Sequence, residues 1–107
     1  MEIIQYDVYW VNLDPTIGRE MKKTRPCLVI SPDEMNNNIG TVIIAPLTTT
    51  LRNYPTRVKC TLNNKIGMIA LDQIKTIDKK RIINKIGKID GATIRQVKLV
   101  IEAMLVK

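Results

Sequence analysis

The sequence contains no histidine. Histidine is the side chain whose ordinary pKa best suits general acid and base catalysis near neutral pH, so the commonest proton-transfer group is missing. Any hydrolysis would have to rely on arginine, lysine, threonine, tyrosine, a carboxylate or a metal ion. The ten acidic residues are scattered, and no close pair suggests a two-metal site. RNA supplies its own nucleophile, the 2′-OH, so such a chain is better suited to cutting RNA than to cutting DNA.

Cysteine is scarce as well. Cys27 and Cys60 are the only two, and each lies within an apolar, strand-like run where a free thiol packs as a small core residue. Two cysteines without histidine are too few ligands for a zinc site. No apolar run approaches the roughly 18 residues of a membrane span, and the N-terminus has no signal-peptide pattern. We therefore expect a cytoplasmic protein with no metal, no cofactor and no membrane partner.

Positive charge, in contrast, is abundant and unevenly distributed. The net charge is +7, and residues 1–53 hold 5 basic and 6 acidic side chains, whereas residues 54–107 hold 12 and 4. A field of this sign attracts polyanions such as nucleic acid or an acidic protein segment. A solvated lysine-rich surface would give the same composition, so charge alone does not decide between these interpretations.

The apolar pattern predicts one mainly β domain over residues 1–107. Five to seven short strands and a C-terminal helix would form a small, twisted, partly closed barrel. Asp33 is expected to cap a helical turn, Asp78 a short helix, and Thr93 the last helix through a capping box with Gln96. The expected strands are 6–13, 27–31, 41–47, 57–62, 67–77 and 84–89, and the expected polar loops are 14–24 and 50–56.

Several phrases of the sequence occur together in one known family. Residues 10–20 read WVNLDPTIGRE and are followed by Thr24-Arg25-Pro26, by Pro46-Leu47-Thr48 and by Asp72-Gln73. In this order they resemble the MazF/PemK (Kid) family of bacterial toxins, most of which cut single-stranded RNA. The resemblance covers nearly the whole chain, from Tyr6 to the terminal helix. It implies an SH3-like, CcdB-like twisted β-barrel (α+β) that acts as a homodimer.

The resemblance also implies a catalytic group. Arg25 matches the family's catalytic arginine and would bind the scissile phosphate and stabilise its transition state. Thr48, the first threonine after Pro-x, would donate to a phosphate oxygen, and Glu20 would take the 2′-OH proton or orient Arg25. From the residues alone, Arg25 could instead pair with Glu20 or Asp72, and Glu20 could be a solvated loop carboxylate.

A wider polar set would contact the RNA. Gln73 would read base edges while Asp72 could hold the framework together, and Tyr9 and Trp10 could stack on bases. Trp10 lies in an apolar strand, which favours core or dimer packing. The predicted RNA-binding residues are Gln73, Asn36, Asn37, Arg19, Lys75, Lys79, Lys80 and Arg81, of which the lysines could equally be solvated surface.

The chain departs from the family pattern at several positions. Met21 replaces a usual glutamine, and Lys22-Lys23 replace a smaller pair. Arg19 stands where Kid-like members carry a catalytic histidine, and Ala70 where they carry an arginine, so the MazF arrangement is favoured. The changes affect loop conformation and sequence preference more than the reaction.

The resemblance implies the toxin of a type II toxin–antitoxin pair. It would be a metal-independent, sequence-specific endoribonuclease that cuts single-stranded RNA, chiefly mRNA, by 2′-OH attack, and it would be neutralised by a MazE-like antitoxin with an acidic, disordered tail. Two alternatives stay open at this point: a CcdB-like toxin that poisons gyrase, and a non-catalytic nucleic-acid-binding barrel.

Overall fold

The computed structural model describes all 107 residues as seven antiparallel strands with two helices. The predicted mainly β architecture with a C-terminal helix is confirmed. The strands are β1 (Asp7–Asn12), β2 (Thr24–Val29), β3 (Thr41–Thr48), β4 (Arg57–Leu62), β5 (Lys65–Ala70), β6 (Lys75–Asp78) and β7 (Ile82–Lys88). The helices are α1 (Asp33–Asn38) and α2 (Gly91–Ile101), and α2 continues as a π-helical turn over Glu102–Val106.

The sheet is curled, with β3 at the bend. Its strand order is β4-β5-β3-β2-β1-β7, and β6 also pairs with β3. The first half of β3 pairs with β6, and Ile44–Pro46 pair with β2. The last two residues, Leu47 and Thr48, pair with β5 instead. Because β3 changes partners along its length, the start of β2 and the start of β5 diverge on either side of Thr48.

Both faces of the central strands are covered. Side chains alternate along β1, so Val8 and Tyr9 pack into different clusters, and each is fully buried. One cluster contains Val11 and Leu13, and the other receives Val97 of α2. Cys27 and Cys60 are free and buried, as expected. None of the helices is long and apolar enough to cross a membrane.

The strand predicted over residues 67–77 is interrupted by a 3-10 turn, Leu71–Gln73. The Leu71 N–H donates to the Thr56 carbonyl, and the Asp72 carboxylate pairs with Arg57. These two interactions turn the backbone away from the hydrogen-bonding pattern of the β-sheet. The turn consequently projects Asp72 and Gln73 from the sheet between β5 and β6.

Two of the predicted helix caps are wrong. The N-cap of α1 is Pro32, while Asp33 accepts a hydrogen bond from the Gln5 N–H. The N-cap of α2 is Asp90, whose carboxylate accepts the Thr93 N–H at 2.7 Å, so Thr93 lies inside the first turn. The cap by Asp78 is confirmed, since its carboxylate accepts the Lys80 N–H ahead of a 3-10 turn.

Candidate functional site

A cleft of about 510 Å³ opens where β2 and β5 diverge. Lys22–Pro26 form one side, Leu47–Thr49 form the end, and the β4–β5 hairpin forms the other side. Trp10 and Ile86 contribute apolar surface from β1 and β7. No carboxylate is among the lining residues. The cleft is therefore apolar inside, basic at its rim and suited to an anionic ligand with planar groups.

The hairpin side of the cleft is held in place by its turn. Asn63 and Asn64 have φ of 50° and 66°, the backbone of a two-residue type I′ turn that asparagine tolerates well. The Asn63 side-chain amide donates to the Ile86 carbonyl at 3.1 Å. A Cβ on Gly87 would meet Leu62 Cδ1 at 2.8 Å, so glycine there lets the hairpin lie close against β7. The wall of the cleft is thus fixed to the sheet.

Arg25 lies on β2, opposite Val11 of β1. Its Nε donates to the Lys22 carbonyl at 3.0 Å, and it forms no ion pair. The alternative in which Arg25 pairs with Glu20 or Asp72 is therefore wrong. Its two terminal nitrogens have no protein partner, so they are available as a pair of donors for a phosphate.

Thr48 closes β3 beside Arg25. The β2–β3 pairing ends at Cys27 and Pro46, two residues short of Arg25 and Thr48, and both of these residues line the cleft. Thr48 is only 8% exposed, and its Oγ1 accepts the Thr50 N–H at 3.2 Å. A hydroxyl that accepts here still has its own proton to donate. The cleft therefore brings together two of the three predicted catalytic residues.

Glu20, the third, lies elsewhere. A second cavity of about 130 Å³ is lined by Glu20, Met21, Gln73 and Lys75, among others. The Glu20 carboxylate accepts the Ile17 N–H at 2.7 Å and lies 4.0 Å from Lys75 Nζ. It has no contact with Arg25, so in this conformation Glu20 stabilises its own loop.

Gln73 is likewise engaged by the protein. Its side-chain oxygen accepts the Met21 N–H at 3.2 Å, which joins the 3-10 turn to the loop between β1 and β2. Lys75, at the start of β6, shares the cavity. Arg19 is exposed in the same loop and contacts no other side chain through a hydrogen bond or ion pair.

The other predicted basic residues are not among those that line the cleft. Lys79 and Lys80 follow β6, whose Asp78 is level with Thr41 at the opposite end of β3 from Thr48. Seven residues of extended strand separate those ends by roughly 23 Å. Arg81 donates to the Asn12 and Asp14 carbonyls and so holds the base of the β1–β2 loop.

Asn36 and Tyr9 do not fit their predicted roles. Asn36 is buried in α1, where its amide oxygen accepts the Ser31 hydroxyl at 2.6 Å and its nitrogen donates to the Ser31 carbonyl. Tyr9 is fully buried, and its hydroxyl accepts the Ile4 N–H and donates to the Glu2 carbonyl. Both are framework residues and cannot reach RNA bases. Asn37, next in α1, is exposed.

Arg57 was not singled out from the sequence, and it explains Asp72. Arg57 Nε and Nη2 donate to the two Asp72 oxygens at 2.6 and 3.0 Å, and the Thr56 hydroxyl also donates to Asp72. The hydrogen bond from Arg57 lowers the pKa of Asp72, and the same bond raises the pKa of Arg57. Asp72 thus holds the framework together, which confirms that alternative. Fifteen residues separate the partners, so no local pattern could reveal them.

Three lysines around the cleft were also missed as candidates for phosphate contacts: Lys22, Lys23 and Lys65. The first two directly precede Thr24-Arg25-Pro26, and that neighbourhood was the available signal. Cys60 lines the cleft as a buried thiol, and burial raises its pKa to about 11. Nowhere do three or more cysteine, aspartate or glutamate side chains gather as a metal-binding group would.

Comparison with known proteins agrees with the geometry. A model of PemK-like, MazF-like toxins of type II toxin–antitoxin systems matches residues 4–105. The endoribonuclease toxin MazF of Escherichia coli K12 is 38% identical over 71 residues, which are 66% of this chain and 64% of that protein. The chain thus spans just under two thirds of the length of that relative. Endoribonuclease EndoA of Bacillus subtilis is 37% identical over 90 residues, 78% of each chain.

Solved structures share the fold. MazF from Deinococcus radiodurans superposes with a TM-score of 0.89 at 22% identity, covering 100% of this chain and 99% of the other. An endoribonuclease from a mycobacterial species, solved with its cognate antitoxin, superposes with a TM-score of 0.82 at 24% identity, covering 96% and 94%. The curled β-sheet with a C-terminal helix is therefore the fold of these toxins.

Proposed function

The chain belongs to the family of PemK-like, MazF-like toxins of type II toxin–antitoxin systems, and from that membership we propose that it is the toxin of such a pair and an endoribonuclease. The observation that carries the proposal is that Arg25 and Thr48 both line one basic cleft free of carboxylates. Both curated relatives are named as endoribonucleases, so the gyrase-poisoning alternative is not favoured.

The reaction is a transesterification within the RNA strand. The 2′ oxygen attacks the adjacent phosphorus, the O2′–P bond forms, and the P–O5′ bond breaks. The 2′-OH loses a proton and the departing 5′ oxygen gains one, so the products are a 2′,3′-cyclic phosphate and a 5′-OH. The nucleophile comes from the substrate, so no protein side chain has to attack the phosphorus; the proton of the 2′-OH passes to water, and water returns one to the departing 5′ oxygen.

The cleft residues act on the phosphate. The terminal nitrogens of Arg25 donate to two phosphate oxygens, and the Thr48 hydroxyl donates to one of these oxygens. Both interactions strengthen as charge builds up in the pentavalent transition state. Lys22, Lys23 and Lys65 hold the neighbouring phosphates. Glu20 lies outside the cleft and acts by holding the loop, so no proton transfer is assigned to it.

The substrate is single-stranded RNA, chiefly mRNA. Unpaired bases can splay onto the apolar surface of Trp10 and Ile86, whereas bases inside a duplex cannot. Arg19 is exposed on the β1–β2 loop and Lys75 is partly exposed on β6, where they contact flanking nucleotides and contribute sequence preference. Asn37 is exposed on α1, which leads into the opposite end of β3 from Thr48, so its contact would be with a more distant nucleotide.

The biological setting follows from the family. Residues 1–107 form a single toxin domain that works as a homodimer in the cytoplasm. Its partner is an antitoxin whose acidic, disordered tail folds onto the basic rim of the cleft and blocks it. The mycobacterial neighbour solved with its cognate antitoxin supports this partner.

The test is cleavage of a long single-stranded RNA in EDTA, with the cut ends mapped. Discrete cuts at a short recurring motif are expected, with 2′,3′-cyclic phosphate and 5′-OH ends. Arg25→Ala should lower turnover on the order of 10²- to 10³-fold, as for other preorganised donors to a developing anion. The matched control is Arg95→Ala on the exposed side of α2, which should cut like the wild type. Well-folded wild-type protein that cuts no RNA would refute the proposal.

A further inference from the structure

We propose that Gln73 is a positioning residue, which sets the direction of the Arg25 guanidinium through the β1–β2 loop and does not read RNA bases. The inference rests on the proposed ribonuclease function for its catalytic consequence, while its structural content stands on hydrogen bonds alone. Gln73 reaches Arg25 through Met21 and Lys22, with one hydrogen bond at each end of that short path.

The loop between β1 and β2 has few attachments to the rest of the molecule. Within the loop, the Leu13 N–H donates to the Lys23 carbonyl at 3.0 Å, and the Lys23 N–H donates to the Asp14 carboxylate at 3.1 Å. Arg81 holds only its base. Near its β2 end, the polar attachments are the Gln73–Met21 hydrogen bond and the 4.0 Å contact between Glu20 and Lys75, and the Met21 side chain also packs against the core.

Gln73 lies on a rigid part of the molecule and can therefore hold the β1–β2 loop through its hydrogen bond to Met21. It closes the 3-10 turn that Asp72 anchors to Arg57 with two hydrogen bonds. The Met21 side chain packs against the core, and its N–H would lose its protein acceptor if Gln73 were replaced by an apolar residue. A half-buried donor without that acceptor turns towards solvent, which favours displacement of the loop.

Displacement of Met21 would also move the backbone group that holds the Arg25 side chain. The carbonyl of Lys22, the next residue, accepts Arg25 Nε at 3.0 Å. A guanidinium is planar, so the partner of Nε fixes the plane in which its two terminal nitrogens lie. A shift of the Lys22 carbonyl would therefore rotate the phosphate-binding pair, and misplacement by about 1 Å can cost on the order of 10²-fold in rate.

The place of Gln73 argues against base reading. It lines the smaller cavity and is absent from the cleft that holds Arg25 and Thr48. Its amide oxygen, half of the donor–acceptor pair by which glutamine recognises a base edge, accepts the Met21 N–H, which holds the amide against the β1–β2 loop.

The experiment compares Gln73→Met, which keeps the length and loses the acceptor, with Gln73→Glu, which keeps an acceptor and loses the donor. Gln96→Met, the same change on exposed α2, is the matched control. Gln73→Met should lower kcat roughly tenfold or more with little change in KM, while Gln73→Glu retains most of kcat and the same cut motif. In an Arg25→Lys background, which lacks Nε, Gln73→Met should have little further effect.

A second readout does not need RNA. In NMR spectra of the free protein, Gln73→Met should speed solvent exchange of the Arg25 Nε–H and of the Met21 amide, and Gln73→Glu should not. Unchanged exchange at Arg25 with an active wild type would overturn the inference. So would a Gln73→Glu variant with unchanged kcat and an altered cut motif, since that result is expected of a base reader. If the wild type cuts no RNA, the proposed function fails, and exchange at Arg25 still decides the positioning role.

Discussion

The two cavities of this molecule hold different kinds of polar group. In the larger cleft, the terminal nitrogens of Arg25 and the hydroxyl proton of Thr48 have no protein partner. In the smaller cavity, Glu20, Asp72 and Gln73 each accept hydrogen bonds from the protein. Hydrogen-bond donors without a protein partner are typical of a surface that binds a ligand. Acceptors already bonded to the protein are typical of residues that hold such a surface in place. Substitutions in the two cavities test that division.

The largest effect within the comparison should follow from Thr48→Val. Valine keeps the shape but loses the hydroxyl that donates to the phosphate, so kcat should fall on the order of 10²-fold. The measurement is single-turnover cleavage of a short RNA. Thr50→Val is the control, because only its backbone N–H contacts Thr48. If Thr49→Val lowered the cleavage rate and Thr48→Val did not, the catalytic threonine would be Thr49.

A change in the smaller cavity should affect stability instead. Asp72→Asn removes the charge that Arg57 binds, and it should lower the free energy of unfolding by about 1–2 kcal/mol at pH 7. Because the pKa of Asp72 is lowered in the folded state, its contribution is present above the ordinary aspartate pKa and is lost as pH falls through the folded-state value. Urea unfolding should show a difference in the free energy of unfolding between wild type and Asp72→Asn at pH 7, and this difference should shrink below pH 4. Glu34→Gln is the control. A difference in the free energy of unfolding that does not change with pH would contradict the view that the charge of Asp72 stabilises the fold.

Binding should separate the two groups of lysines. Replacing Lys22 and Lys23 by glutamine should make the salt dependence of RNA binding shallower by about 1.4 in the slope of log K against log salt, at about 0.7 for each phosphate contact. The same change at Lys79 and Lys80 should have a smaller effect, because those residues lie at the opposite end of β3. A larger effect at Lys79 and Lys80 would mean that RNA follows β6 and not the cleft.

The smallest effect should follow from Glu20→Gln. Glutamine can still accept the Ile17 N–H, so kcat should fall less than about threefold, with an unchanged pH–rate profile. A general base would lose on the order of 10²- to 10⁴-fold. A loss of that size, together with the disappearance of the acidic limb of the pH–rate profile, would mean that Glu20 acts as a general base.

Much of the fold was predictable because it depends on near neighbours. The alternation in β4 and the turn at Asn63-Asn64 are local signals, and the structure has a hairpin there. The break at Leu71–Gln73 was not predictable, since it depends on Arg57 in another strand. The burial of Asn36 depends similarly on its fit to Ser31.

The candidate site divides in the same way. Arg25 and Thr48 followed from the family resemblance, and both line one cleft. The basic residues of the cleft did not follow, because composition gives the number of charges and not their positions. Lys65 reaches the cleft only because β5 folds back against β4.

The change of partners along β3 has a mechanical consequence. Thr48 is paired with Met68 on one part of the sheet, while Arg25 is paired with Val11 on the other. The spacing of the Arg25 and Thr48 side chains therefore depends on the path of β3 where it changes partners, after Pro46. A substitution that straightens or tightens this part of β3 would change that spacing without altering either side chain, so the path of the backbone is itself a determinant of the geometry of the cleft.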